Sequence, residues 1–305
     1  MRREQETTGK AVKIHATAAR HIICLCLVMM LILVCGCTDN TALQSGPYGY
    51  EEIEFCVPSD DSAKDDIYGI FYIPENAGQK LPAIIFSHGY GGTHKVGEPY
   101  AKALAKQGYA VYCFDFRGGS PHSRSGGSVL EMSVFTELDD LEQVLDYVEK
   151  QDFVDDESIF LMGTSQGGAV SAMAAARHKD SIRGMVLLYP AFVLPDRAEE
   201  LFGEAENIPQ TYTFLGMEVG KVYFESLIDY DIYSDISSYD KDVLIIHGTA
   251  DKVVPISCAE KALETYPAAE LIRIQGAGHG FSGDDRNTVI KYVSEYLNAQ
   301  MKQEK

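Results

Sequence analysis

Residues 158–168, Ser-Ile-Phe-Leu-Met-Gly-Thr-Ser-Gln-Gly-Gly, hold the feature from which the rest of the chain is read. The run 158–162 has the apolar, β-branched and aromatic character of a buried strand, and a helix is predicted to start near Gln166. Between them Gly163, Thr164, Ser165, Gln166 and Gly167 fit Gly-x-Ser-x-Gly. Small residues around a serine permit a sharp, strained turn from strand to helix. Such a turn projects the hydroxyl from the sheet and leaves the next backbone N–H at the start of the helix. Glycine and serine are common, so the pattern alone is weak, and the strand-turn-helix setting gives it weight.

Working outward, each residue that a serine nucleophile needs follows a strand of its own. The predicted strand 243–247 runs into Gly248-Thr249-Ala250-Asp251, and a carboxylate just past a strand end sits where open α/β sheets build their sites. The predicted strand 271–275 runs into Gly276-Ala277-Gly278-His279-Gly280-Phe281, whose glycines let an imidazole approach the serine. His279 would take the proton of Ser165 and return it to the leaving group, while Asp251 fixes the ring tautomer. The predicted strand 83–87 is followed by His88-Gly89-Tyr90-Gly91-Gly92, a loop able to turn its amides inward. The N–H groups of Tyr90 and Gln166 are the expected pair of oxyanion donors. Among the other histidines, His94, His122 and His178 read as surface residues and His247 as structural. Asp115, Asp284 and Asp285 fall outside the interval between serine and histidine.

Further strands are predicted at 53–57, 67–73, 110–116 and 184–189, and helices starting near Glu98, Val134, Cys258 and Asp285. Strands alternating with amphipathic segments imply a mainly parallel sheet with helices on both faces, entered by an antiparallel pair. Residues 191–240 break the rhythm: no clear strand is legible there, and an insertion this long is expected to be a cap or lid. It carries eleven acidic residues against Arg197 and Lys221, with nine Phe and Tyr. Cys56, Cys113 and Cys258 are expected to be unpaired thiols, and neither a metal-ligand spacing nor a cofactor motif is present, so no cofactor is expected.

The N-terminus reads as an address. Arg2, Arg3, Lys10, Lys13 and Arg20 precede an apolar run, 22–35, that would rise about 21 Å as a helix, short of the ~30 Å hydrocarbon layer. An export signal is expected rather than a spanning helix. Leu33-Val34-Cys35-Gly36-Cys37 resembles a bacterial lipobox, which implies Cys37 as the lipidated first mature residue, residues 38–50 as a tether, and residues 51–300 as a domain held at the outer face of the cytoplasmic membrane. The net charge of −19 becomes −22 once residues 1–37 are set aside. A surface so acidic repels phosphate backbones and anionic headgroups, so nucleic acid is excluded as a partner and the membrane is reached only through the lipid. The acidic cap is expected to disfavour acyl groups that carry a carboxylate.

With these residues in hand the chain resembles an α/β-hydrolase over nearly all of 51–297, a mainly parallel sheet flanked by helices with a cap inserted between strand 6 and the Asp strand. The stretches HGYGG at 88–92, CFDFRGGS at 113–120, GTSQGG at 163–168, LIIHGTADKVVP at 244–255 and GAGHGFSG at 276–283 are most similar to the bacterial cinnamoyl (feruloyl) esterase branch. That resemblance implies a serine carboxylesterase acting on short-chain or hydroxycinnamoyl-type esters through an acyl-enzyme. It also implies that a cap Asp and Tyr, by position Asp196 and Tyr223, meet ring hydroxyls of the substrate. Two other readings remain open. One is a serine aminopeptidase, with Glu199-Glu200 or Glu204-Glu206 holding a free amino terminus; the other is a silent surface-binding lipoprotein.

Overall fold

A computed structural model describes residues 46–58 and 66–302, all within one compact unit, Ala42–Lys305. The apolar export run, Cys37 and the first part of the tether lie outside the described residues. From the tether's end, Tyr48 donates its N–H to the Lys106 carbonyl at 3.2 Å, and the Gly49 carbonyl accepts from Glu75 at 2.9 Å.

Strand side chains point alternately to opposite faces, and the central strands are covered on both, so their buried stretches are largely apolar, whereas edge strands β1 (Tyr50–Val57) and β10 (Ala269–Ile274) carry exposed charged residues. Strands β3 (Leu81–Ser87), β5 (Val154–Thr164), β6 (Ile182–Leu188) and β9 (Val243–Gly248) send Ala83, Ile85, Ile159, Leu161, Met185, Leu187, Val243 and Ile245 to one core. Helices α2 (Val134–Glu149), α3 (Ser165–Arg177) and α7 (Ile256–Thr265) close that core with Leu138, Leu141, Val170, Met173 and Ala259. The intervening residues Ile84, Phe86, Phe160, Met162, Val186, Leu188, Leu244 and Ile246 face a second core under α1 (Glu98–Ala105) and α8 (Gly283–Gln300).

With β1 (Tyr50–Val57), β2 (Ile67–Pro74), β4 (Ala110–Phe114) and β10 (Ala269–Ile274), the strands form one eight-stranded sheet in the order β1-β2-β4-β3-β5-β6-β9-β10. The β1–β2 and β2–β4 pairs are antiparallel and the remainder parallel, so the carboxyl ends of β3, β5, β9 and β10 lie on one rim. This is the α/β-hydrolase architecture, and every predicted strand is present with adjusted ends. The strand predicted at 110–116 ends at Phe114, and the fully buried Asp115 carboxylate just past it accepts the N–H groups of His94 and Arg124.

Residues 191–240 hold three short helices, α4 (Leu194–Phe202), α5 (Val222–Glu225) and α6 (Ile232–Ile236), and, contrary to expectation, a β-hairpin. Its strands β7 (Thr211–Phe214) and β8 (Met217–Gly220) pair antiparallel through a two-residue turn. Leu215 and Gly216 both take positive φ, 45° and 86°, the mirror-image turn that suits strand twist. Leucine at the first turn position hides the usual Asn-Gly or Asp-Gly signal.

Candidate active site

The turn read from Gly163 to Gly167 joins β5 directly to α3. Ser165 holds φ at +50°, a left-handed conformation costly for a non-glycine residue and retained where surrounding structure enforces it. The enforcement is steric. A Cβ on Gly167 would stand 2.3 Å from the His88 carbonyl oxygen, and one on Gly89 would stand 3.0 Å from Ser165 Cβ, so the loop after β3 and the β5–α3 turn can meet only as glycines.

His279, in the loop after β10, places Nε2 3.0 Å from Ser165 Oγ and Nδ1 2.8 Å from Asp251 Oδ2. The Asp251 side chain is sealed from solvent, whereas the His279 side chain is 22% exposed. Burial works against the Asp251 charge, but hydrogen bonds from His247, His279 and the Val254 N–H overcome it and hold the carboxyl well below the carboxylate range. Oδ1 accepts from Val253 and Val254 at 2.8 and 3.0 Å, leaving Oδ2 for His279. His247 is fully buried, as expected of a structural residue; its Nε2 stands 3.0 Å from the Val254 carbonyl and 3.4 Å from Asp251 Oδ2. Tyr189 packs edge-on to the His279 ring at 4.8 Å. An imidazole so held can accept the serine proton and shelter the resulting positive charge against a carboxylate.

His88 sets the loop after β3. Fully buried, its ring has a pKa lowered by desolvation, and it accepts the Phe116 N–H on Nε2 while Nδ1 faces the Gly89 carbonyl at 2.8 Å. Tyr90 follows, and its backbone N–H has no acceptor among the described residues. Gln166 is the second residue of α3, where the N–H has no carbonyl a turn earlier to bond. The two amides expected to face an oxyanion are thus unclaimed on either side of Ser165.

Beneath them lies a polar chain that the sequence did not reveal. Gln166 donates Nε2 to Glu137 Oε2 at 2.8 Å and accepts the Tyr223 hydroxyl on Oε1 at 2.6 Å. Glu137 is 1% exposed, and burial drives its carboxyl well above the ordinary range, which favours the protonated form. Tyr223 also meets the Tyr90 ring edge-on at 5.5 Å, and Tyr90 donates its hydroxyl to the Phe214 carbonyl of β7 at 2.9 Å. One tyrosine of the cap therefore touches both residues expected to supply oxyanion donors. Glu137 had a legible signal: it lies on the apolar stripe Val134, Leu138, Leu141, Val144 and Leu145 of α2.

Two clefts of about 320 Å³ each flank Ser165 and share Tyr90, Leu215 and Val253. One runs under the cap past Gln166, Leu194, Phe214 and Tyr223; the other runs past Gly89, Tyr189 and His279. Tyr223 therefore walls the cap-side cleft, but its hydroxyl is already donated. Asp196 is not in either cleft: it lines a separate one with Glu199, Asp229, Asp231 and Lys261. No carboxylate of the cap lines either cleft beside the serine, so cap acidity does not reach the expected acyl site by direct contact. His94, expected at the surface, is 6% exposed with Nδ1 2.7 Å from Asp115 Oδ1.

The family model described as serine aminopeptidase, S33, matches residues 78–213, and one described as TAP-like protein matches residues 231–304. An uncharacterized protein, YfhR, of Salmonella typhimurium is 30% identical over 74% of this chain and 75% of its own length. The AB hydrolase superfamily protein YisY of Bacillus subtilis is 22% identical over 74% of this chain and 94% of its own length. The solved structure of Est1E from Butyrivibrio proteoclasticus with ferulic acid bound superposes with a TM-score of 0.73 at 28% identity, covering 81% of this chain and 99% of that one. The chain belongs to the α/β-hydrolase superfamily. In this hydrolase the matched segments span both the β5–α3 turn and the loops of Asp251 and His279. A cleft of about 570 Å³ lies at the opposite ends of β9 and β10, between Asp242 and Gln300, and holds none of these side chains.

Proposed function

We propose that this hydrolase is a serine carboxylesterase for short-chain or aromatic acyl esters. The observation that carries the reading is the unbroken relay from Ser165 Oγ through His279 to Asp251 Oδ2, at 3.0 and 2.8 Å, opening on two clefts. Ser165 Oγ attacks the ester carbonyl carbon as its proton passes to His279 Nε2, and the carbonyl π pair moves onto oxygen, facing the Tyr90 and Gln166 N–H groups. Collapse of the oxyanion breaks the bond to the alcohol oxygen, which leaves with the proton from Nε2. Water, deprotonated by His279, then attacks the acyl-serine, and the second collapse returns the proton to Ser165.

Ferulic acid bound to Est1E, a neighbour of the same fold, supports an aromatic acyl group in the cap-side cleft, whose walls are Tyr90, Phe214 and Tyr223. In this reading Tyr223 offers its ring and keeps its hydroxyl on Gln166; Asp196 has no role in acyl binding. Hydrolysis of methyl ferulate and of 4-nitrophenyl acetate, butyrate and octanoate tests the reading. Turnover of none of the four by folded protein overturns it, and turnover of only the nitrophenyl esters removes the aromatic refinement.

The matched aminopeptidase family model favours a second reading, amide hydrolysis at the same serine. That activity needs a carboxylate near the serine to hold a substrate ammonium, and neither cleft is lined by one. Cleavage of aminoacyl-β-naphthylamides would establish it. The proposal also carries the N-terminal address: Cys37 as lipid anchor puts the enzyme on the outer face of the bacterial cytoplasmic membrane. Cys37→Ser should then move activity from the membrane fraction to the soluble fraction, and an unchanged distribution would remove the anchor.

A further inference from the structure

The sequence has 45 acidic and 26 basic side chains, yet the charged residues lining the cap-side cleft are Arg197 and Lys252 and nothing acidic. They come from unrelated elements, Arg197 from α4 of the cap and Lys252 from the loop that follows Asp251. Among the described residues Lys252 forms no ion pair. Arg197 bonds Glu200 at 2.7 Å, but the Glu200 side chain is 63% exposed, and a pair so open to water is held weakly. Apart from Ser165, Gln166 and the two tyrosines the remaining wall, including Leu194, Phe214 and Val254, is apolar, and apolar walls strengthen the field of the two cations that line the cleft.

The second cleft contrasts with it. His279 lies there together with Tyr189, Val96 and Gly280, and no Lys, Arg, Asp or Glu lines it. His279 must hand its proton to the departing alcohol oxygen, so the alcohol belongs on that side and the acyl chain under the cap. We propose, resting on the ester reading, that the preferred substrates are half-esters of dicarboxylic acids. Their acyl chain ends in a carboxylate that meets Arg197 and Lys252, and their alcohol is uncharged. Apolar walls accommodate the methylene or aromatic segment between the two carbonyl carbons.

The test compares kcat/KM for the monoethyl esters of succinic, adipic and suberic acids with that for ethyl butyrate, hexanoate and octanoate, on the full chain and on Arg197→Met/Lys252→Met. The expected result is a preference of about tenfold or more for the half-ester at one chain length, falling at least fivefold in the double variant. A thermal melt confirms that the variant is folded, and Lys252→Glu, a milder surface change, should lower the same ratio. A ratio at or below one at every chain length overturns the proposal, as does a ratio unchanged in folded variants. Failure of the ester reading looks different, being no turnover of either series, and it would take this proposal with it.

Discussion

Two aspartate–histidine pairs of nearly equal length stand at this sheet's rim, one after β4 and one after β9. Asp115 and His94 are joined at 2.7 Å, and Asp251 and His279 at 2.8 Å. The pairs differ in what the far side of each ring meets. His279 turns Nε2 to a serine hydroxyl and a solvent-reached cleft, and its carboxylate is held by the backbone of its own loop. His94 is sealed against Tyr68 at 5.2 Å, and Asp115 spends its remaining capacity on the N–H groups of His94 and Arg124, which tie two loops to the end of β4. An aspartate–histidine contact is thus no signature of catalysis; a nucleophile within reach and an open cleft make the difference.

The largest effects should come from the β9 pair and its serine. Ser165→Ala is expected to lower kcat on any ester by about 10⁴-fold or more with little change in melting temperature. Asp251→Asn should cost about 10³–10⁴-fold, because the asparagine amide no longer fixes the His279 tautomer or stabilises its charge. A fall below tenfold in either would break the assignment. Asp115→Asn should do the converse. Removing a buried charge that accepts three hydrogen bonds is expected to destabilise the fold by about 3 kcal/mol in urea denaturation, with kcat of the folded fraction within a few-fold.

The acid limb of stability sharpens the same contrast. Burial pushes the Asp115 carboxyl up, but hydrogen bonds from the His94 ring and from the N–H groups of His94 and Arg124 outweigh it and leave its pKa below 3.8. The unfolded chain therefore binds a proton first as pH falls. The stabilisation from Asp115 is present above its unfolded value and is lost as pH drops through the folded one. Asp115→Asn should flatten the dependence of melting temperature on pH below about 4, and a curve parallel to wild type would show that the pair does not carry it.

These residues were not equally legible. Ser165, Asp251 and His279 each follow a β-rich run through a turn that contains glycine, so local pattern carries them to one rim. His94 sits in Gly-Thr-His-Lys-Val-Gly, a polar segment that reads as surface, and its burial comes from Asp115 and Tyr68, distant in sequence. The cap was legible as an interruption but not in its contents. Its hairpin strands are four residues long, and which cap residues face Ser165 depends on how α4 and β7 dock, which no periodicity encodes. Cap position alone therefore paired Asp196 with Tyr223, although only Tyr223 reaches the serine cleft.

Glu137 extends the contrast with the opposite sign. Burial raises its pKa well above 4.5, which favours the protonated carboxyl in the folded protein relative to the unfolded chain. Folding then takes up a proton, and stability falls as pH rises above the unfolded value, by about 1.4 kcal/mol per pH unit while one side only is protonated. Glu137→Gln keeps an acceptor for Gln166 Nε2 and removes the titration. The variant should gain melting temperature over wild type steadily between about pH 5 and 7. A constant difference across that range would mean that Glu137 is ionised where it lies.

The smallest effect expected belongs to the hydroxyl that joins cap to sheet. Tyr223→Phe keeps the aromatic wall against Tyr90 and Phe214 but strips Gln166 Oε1 of its buried donor. An unsatisfied buried acceptor costs about 1–2 kcal/mol, and Gln166 can recover part of that only by shifting the helix turn that carries its N–H. The oxyanion donor would then be misplaced in the transition state more than in the ground state. Steady-state kinetics on a neutral ester should therefore show kcat reduced about three- to tenfold with KM nearly unchanged. A rise in KM at constant kcat would instead mean that the Tyr223 hydroxyl leaves Gln166 to bind the acyl group, and that the cap senses substrate rather than bracing the oxyanion amides.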